Sequence, residues 1–482
     1  MKQSWRKLLA LLFALSLVAA ACSGDDADET TTDAGSDASA SASDSASASA
    51  SEPAEEDAME DEEDAMEDEE DAMEDEEHSD LAGTTVTVFG PESSDEEAGA
   101  MQDALNVFAE ENGMTITYTG ARDFSDQINA QVSGGNAPDI GIYPQPGKVA
   151  DFAREGFILP VPEDVLGATA WDDAFLGFGN VDGTQYGMPN KADLKSLVWY
   201  KPAAFEAGGY AVPETFDDFV ALANEMIANG DTPLCVGIES GPATGWTYTD
   251  WVEDMMLRFE GGDVYDQWVN HEIPFNDPAV VAQMEAVVDL WSTPGMVFAS
   301  GGSIAATPFG DNGQPLVDGD CLMHRQASFY AAFIPEGTAF ADGSEDAVDV
   351  FYFPSNEGRP VLGAGTLAAA HNDRPEVWAV MEYFGSVQYA DARQAAQAER
   401  KDGGLSGFLS AAQGADLSLY QPLEQSFLDI LANAETFRFD ASDLMPADVG
   451  AGTFWTEGTA AVNGDKSAAD AADAIEASWP SS

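Results

Sequence analysis

"TTVTVFG" (residues 84–90), "EEAGAMQDALNVFAEEN" (96–112) and "MTITYTG" (114–120) follow one another almost without a gap. The first alternates apolar and polar residues and reads as a strand, and so does the third. The middle stretch places Met101, Leu105 and Phe108 on one side of a helix. A second helix is expected over Phe124–Val132. The turn and loop "GGNAPDIGIYPQPG" (134–147) follow, enclosing a short apolar strand, Ile140–Tyr143. This strand–helix order predicts an α/β fold with a mostly parallel sheet. In such sheets the loops at the carboxyl ends of the strands are the usual ligand positions.

Downstream, "YGMPNKADLKSLVWY" (186–200) ends in a buried-type strand, Leu197–Tyr200. "TFDDFVALANEMIANG" (215–230) gathers Phe216, Phe219, Val220, Ala223 and Ile227 on one helical face, with Gly230 as the stop. "DPAVVAQMEAVVDLW" (277–291) has core periodicity, which assigns Trp291 to packing. No segment beyond the N-terminal one is long and apolar enough to span a membrane, so the chain carries no permease.

Upstream, "MKQSWRKLLALLFALSLVAAAC" (1–22) has a basic start (Lys2, Arg6, Lys7) and an apolar run too short for a comfortable span of roughly 20 residues. It reads as a secretory signal over residues 1–21. The small residues before Cys22 resemble a bacterial lipobox, with Ala19 where Leu is usual, so Cys22 is the expected site of lipidation and of attachment to the membrane. The remaining cysteines, Cys235 and Cys321, are an even pair in an oxidising compartment and read as a disulfide, with two buried thiols as the alternative.

Residues 22–83 read as a linker. From Ser23 to about Asp80 there are no aromatics, and too little apolar surface to offset ordering entropy. The unit EEDAMED occurs three times between Glu55 and Asp75. Its only apolar residues are adjacent Ala-Met pairs, which cannot form the seam of a coiled coil. Acids also recur at i,i+3 and i,i+4, where like charges destabilise a helix. The expectation is a disordered, extended acidic tether. The whole chain of 482 residues has 88 Asp+Glu against 18 Lys+Arg, a formal net charge of -70. That balance argues against nucleic acid as a partner and fits either saline surroundings or an ordinary acidic secreted surface.

The sequence has no GxSxG, HExxH, Walker loop or dinucleotide fingerprint. Its four histidines lack metal-ligand spacing, and no cofactor is expected. Asp250 with Glu253 or Asp254 could form a carboxylate pair, but acids are too abundant for that to be specific. More distinctive are the mixed aromatic and polar stretches "PATGWTYTDWVEDMMLRFEGG" (242–262) and "FDASDLMPADVGAGTFWTEG" (439–458). Sugars offer a C–H face to aromatic rings and a rim of hydroxyls to carboxylates and amides, so a sugar pocket needs this combination.

"SGGNAPDIGIYPQPG", "YGMPNKADLKSLVWYKPAAFEAGGYAVPETFDDF", "GDCLMHRQASF" and "FWTEGTAAVNG" together resemble the maltose-binding-like family of extracellular solute-binding proteins of bacterial sugar ABC transporters. "CVGIESGPATGWTYTDWVEDMMLRFEG" and "YDQWVNHEIPF" resemble its alpha-glucoside-binding branch. The likeness runs from about Thr84 to Trp479. It implies a two-lobe, type II periplasmic-binding-protein-like fold with a hinge and an interlobe cleft. Lobe one would be 84–195 plus 348–397, and lobe two 200–345 plus 400–480, with Leu197–Tyr200 as a crossing segment and both remaining cysteines in lobe two. The implied ligand contacts are Glu92, Gln145 flanked by Tyr143, and Lys191 and Asp193 before the hinge. Trp246 would stack with Asp250 behind it, Gln326 would hold a cleft position, and Trp455 would be a second stacking ring. Pro146-Gly147 stands where maltose binders carry charged residues, which argues against maltooligosaccharides.

The expected function is that of a monomeric, non-enzymatic lipoprotein on the outer face of the cell membrane. It would capture a sugar, an alpha-glucoside disaccharide, and deliver it to the transmembrane subunits of an ABC importer. The competing readings are a secreted carbohydrate hydrolase, a receptor for a non-sugar solute, and a binding protein that reports to a sensor.

Overall fold

The computed structural model describes residues 81–480 except Asp172 and Gly403. The signal segment, Cys22 and the acidic linker as far as Asp80 lie outside the described residues. In chain order, the first body is built from β1 (Thr85–Gly90), α1 (Asp95–Glu111), β2 (Thr115–Gly120), α2 (Phe124–Ser133), β3 (Ile140–Tyr143), α3 (Pro146–Glu155) and β4 (Gly187–Leu194). The second body continues with β5 (Leu197–Tyr200), α4 (Phe216–Asn229), β6 (Leu234–Cys235), α5 (Trp246–Phe259), α6 (Pro278–Ser292), β7 (Val297–Phe298), β8 (Met323–Arg325) and β9 (Asp349–Tyr352). The chain then returns through β10 (Pro360–Ala370), α7 (Val387–Arg400), β11 (Thr436–Phe439) and α8 (Trp455–Val462).

The alternation in β1 buries Val86 and Val88 on the face that receives Met101 and Leu105 of α1. β1 runs parallel to β2 and to β3, as the strand–helix order requires. The first sheet has the order β11-β10-β3-β1-β2, with β4 paired antiparallel along β10. The second sheet has the order β9-β5-β8-β6-β7. Helices α4, α5 and α6 pack against it through Phe219, Met226, Trp251 and Trp291, so Trp291 is a core residue. On α4, Leu222 and Met226 are buried while Val220 and Ile227 are only half-buried; Gly230 caps the helix at φ 95°.

The main chain passes between the two sheets at Leu194–Leu197, between Tyr352 and Pro360, and between Phe439 and Ala441. The first two passages are tied together. Lys195 N donates to Leu362 O (2.9 Å), Phe353 N donates to Ser196 O (2.9 Å), and Ser196 Oγ accepts from Leu362 N (2.9 Å). Leu197–Tyr200 itself is an inner strand of the second sheet, and the crossing lies just before it.

The partition read from the sequence differs from the observed pairing at two strands. Asp349–Tyr352 belongs to the second sheet, because all four of its residues pair antiparallel with β5. Thr436–Phe439 belongs to the first, pairing parallel with Pro360–Gly363 of β10. Cys235 and Cys321 are joined in a disulfide with Cα atoms 5.4 Å apart. Cys235 ends β6 and Cys321 precedes β8, so the bond staples neighbouring strands of the second sheet.

Candidate ligand-binding cleft

β1, β2 and β3 are parallel, so their carboxyl ends share one edge of the first sheet. Three cleft segments emerge there: Pro91–Ser94, Arg122 with Phe124, and Pro144-Gln145. β4 adds Lys191 and Asp193, and Lys195 just beyond its end continues the same alternation onto the cleft. The second body supplies Trp246, Asp250, Phe309 and Phe329 from across the gap, and the returning chain supplies Asp440, Asp443 and Trp455. Together these line a cleft of about 210 Å³, smaller than the roughly 300–1,000 Å³ of pockets that take drug-sized ligands.

The first-body wall is charged. Lys191 Nζ donates to Glu92 Oε1 (3.1 Å) and lies 3.5 Å from Asp193 Oδ1, and Arg393 of α7 donates to Glu92 Oε2 (3.0 Å). Burial raises the Glu92 carboxyl, but Arg393 and Lys191 outweigh it and hold the group below its usual range. Burial dominates for Asp193 and leaves it raised despite Lys191.

At the floor, Lys195 Nζ donates to Asp250 Oδ1 (2.7 Å) and to Asp440 Oδ2. Burial acts on all three. It pushes Asp250 up to about 7 against the pull of Lys195, whereas at Asp440 the same lysine and the neighbouring donors win and the pKa falls. Behind them Arg325 donates to Asp254 (2.6 Å), which also pairs with Arg258. Glu253 accepts the Ala441 and Ser442 N–H groups (3.2 and 3.1 Å) and so fixes the last crossing against α5. Asp250, Glu253 and Asp440 could each turn a carboxylate oxygen toward a common point, but the Lys195 ammonium already serves Asp250 and Asp440 as their cation.

The second-body wall is aromatic. Trp246 opens α5 half-buried, its ring 5.0 Å from Phe309 and 6.1 Å from Phe329, with Lys195 Nζ 5.6 Å from its centroid. Gly245 makes this placement possible. Its φ is 116°, and a Cβ there would overlap the Trp455 carbonyl oxygen, so glycine lets α5 begin directly against α8. The buried Trp455 indole N–H has no hydrogen-bond partner among the described residues. Exposed Arg122 lies over Phe309 at 5.8 Å and bridges the two walls at the mouth. Rings on one side and fixed donors and carboxylates on the other can hold a molecule with one apolar face and a polar rim.

Of the residues expected in the site, Glu92, Gln145, Lys191, Asp193, Trp246, Asp250 and Trp455 line this cleft. Two do not. Tyr143 points to the other side of β3: it is fully buried between Phe124 and Phe152, and its hydroxyl meets His371 Nε2 at 2.7 Å. Gln326 is turned inward, its Oε1 accepting the Ala327 N–H (2.8 Å) while its carbonyl accepts from Trp199 Nε1 (3.1 Å). Sequence reasoning missed Lys195, Glu97, Asp440, Asp443, Phe309 and Phe329. Lys195 was within reach, since it repeats the two-residue spacing of Lys191 and Asp193 just past the end of their strand. Phe309 and Phe329 stand in 3-10 turns with no periodic signal.

The sequence matches the bacterial extracellular solute-binding protein family over residues 91–391. It is 40% identical over 396 residues to the osmoprotective compounds-binding protein GgtB of Synechocystis, covering 80% of this chain and 90% of that protein. It is 38% identical over 423 residues to the alpha-glucosides-binding periplasmic protein AglE of Rhizobium meliloti, covering 83% and 88%. Among solved structures, the bacterial solute receptor AcbH superposes with a TM-score of 0.69 at 19% identity, covering 82% of this chain and 98% of that one. The raffinose complex of RafE superposes with a TM-score of 0.63 at 17% identity, covering 82% and 98%. These structures share the two-lobe fold, in which the two sheets are the cores of the lobes. With the family match and both sequence relatives spanning most of its length, the chain belongs to the bacterial extracellular solute-binding proteins.

Proposed function

We propose that this protein is the receptor of an ABC importer and captures a small neutral sugar, an alpha-glucoside disaccharide, between its lobes. The observation that carries this reading is the division of the cleft: an aromatic wall of Trp246, Phe309 and Phe329 opposite a wall of Glu92, Lys191 and Asp193. The sugar's C–H face lies on the rings and its hydroxyls meet the charged groups. The name of AglE, an alpha-glucosides-binding periplasmic protein, supports the same ligand class. Binding rather than turnover is favoured because Asp250 and Glu253, the candidate acid pair, are held by Lys195 and by the Ala441 and Ser442 N–H groups.

Sugar draws the lobes together about the three crossings, and the closed form is what the permease reads. The lipobox-like sequence before Cys22 supports anchoring at the outer face of the membrane. The acidic linker then spaces the receptor from that surface. Calorimetric titration with sucrose, trehalose and maltose tests the reading: a saturable heat with at least one is expected. No heat with any of them, together with binding of a peptide or polyamine, would overturn it. Metabolic labelling with palmitate should mark the chain, and Cys22→Ser should abolish the label.

A further inference from the structure

Glu97 stands in the first turn of α1, buried to 8% exposure, and lines the cleft. Ser94 caps the helix by accepting the Glu97 N–H (3.1 Å), and its hydroxyl donates to Glu97 Oε2 (3.3 Å). In a capping box the acid at this position would reach back to the backbone N–H of the cap residue. Here it takes only the hydroxyl, and Oε1 makes no hydrogen bond among the described residues.

The charged and titratable groups around it come from four elements and their flanks. Glu92 follows β1, Tyr118 lies on β2, Lys191 and Asp193 lie on β4, and Arg393 lies on α7, with Lys401 just beyond it. Glu96 is its neighbour in the chain. The nearby cations serve other groups. Lys191 and Arg393 donate to Glu92, and Lys401 donates to the carbonyls of Ala332 and Ile334. Among the described residues none forms an ion pair with Glu97.

We propose that Glu97 is a ligand-contacting, specificity-determining residue that enters the closed cleft as a neutral acid and donates a hydrogen bond to a ligand hydroxyl. The proposal rests on the reading of the cleft as a sugar site. Burial, then the Glu92 charge, raise this carboxyl to about 7 against the pull of Lys191 and Arg393. An uncharged ligand that excludes water strengthens the desolvation and favours the neutral form further. A protonated carboxyl can donate to one hydroxyl and accept from another, whereas the anion only accepts. The anion would also be shut in beside Glu92 and Asp193, with Lys191 and Arg393 nearby but neither paired to it.

The sign follows directly. Ligand binding selects the protonated form, so affinity is full below pH 7 and is lost as pH rises through it. A group that must be protonated and titrates near 7 weakens apparent affinity about tenfold between pH 6 and pH 8. Glu97→Gln keeps the shape, the neutral charge and a donor, and removes the titration.

The test is calorimetry on the full-length chain with sucrose, trehalose and maltose at pH 6, 7 and 8, repeated in two buffers of different ionisation enthalpy. Wild type should bind about tenfold more weakly at pH 8 than at pH 6 and take up a proton near pH 8. Glu97→Gln should show a flat profile, no such uptake, and tighter binding than wild type at pH 8. An unaltered slope in the variant would move the titration to another group, such as Asp250, and overturn the proposal. So would a flat wild-type profile, or weaker binding by the variant at every pH. Absence of heat with all three sugars at every pH would instead reject the sugar-site reading, and this inference with it.

Discussion

Lys195 is the residue on which the floor of the cleft depends. It is buried, and it is the ammonium to which both Asp250 and Asp440 are hydrogen-bonded. Lys195→Met keeps much of the stem volume but leaves Asp440 without its cation and Asp250 with only the more distant Arg325 guanidinium at 3.7 Å. Removing one partner of a buried pair costs about 3–5 kcal/mol, so urea unfolding should shift to a much lower midpoint. A midpoint within error of wild type would show that the two acids protonate at little cost. On the opposite wall, Trp246→Ala should weaken sugar binding by roughly tenfold through lost ring contact, and Trp246→Phe should recover much of it. The sequence made Trp246 legible because it stands in a polar setting that a core residue rarely has, whereas Trp455 was reached through the family resemblance, which places a stacking ring after the Gly-rich turn. It misplaced Tyr143 and Gln326 because nearness along the chain to a cleft loop says nothing about the side of a strand. On β3 the alternation sends Tyr143 to the face away from the cleft.

At the level of the element, the junction between α5 and α8 turns on Gly245. With φ at 116° and the Trp455 carbonyl against it, Gly245→Ala forces both a strained backbone and a displaced helix. A cost of about 1–3 kcal/mol is expected. Binding should weaken as well, because the same shift separates Trp246 from Trp455. Thermal melting together with a sugar titration checks both, and a variant that loses stability but binds normally would show that the rings tolerate the movement. The disulfide acts on the neighbouring strands. It closes 86 residues, so reduction should cost up to about 4–5 kcal/mol by the chain-entropy estimate, read as a drop in the urea midpoint on adding dithiothreitol.

Which elements could be read beforehand follows from their burial. β1, α1, β2 and α2 each show one face to solvent, so their periodicity is visible. β10, "PVLGAGTLAAA", is buried along its whole length and paired on both sides, and such a strand has no alternation to detect. Its small residues serve close approach instead: a Cβ at Gly365 would overlap the Lys191 carbonyl oxygen. The swap of β9 and β11 between lobes was equally hidden, because each is a four-residue strand beside a crossing.

For the whole molecule, the fold buries several acids around the cleft, and this makes its stability depend on pH in a predictable direction. Burial raises Asp250 and Glu97 to about 7, and raises Glu253 and Asp443 well above the carboxylate range, with the Asp440 charge adding to it in the last two. A carboxyl with a raised folded pKa stabilises the fold fully below its unfolded pKa, near 4, and loses that contribution as pH rises through the folded value. Asp440 and Glu92 are shifted the other way, and their contribution is lost only as pH falls below about 4. The two sets together place maximal stability on the acid side of neutrality. Tm should fall by about 5 °C or more between pH 5.5 and pH 8. The formal net charge of -70 works in the same direction through self-repulsion, but salt separates the two causes. At 1 M ionic strength the screening length is about 3 Å, which suppresses repulsion between exposed acids and leaves the buried ones nearly unscreened. The slope should therefore persist in 1 M sodium chloride, and its disappearance there would assign the effect to the surface.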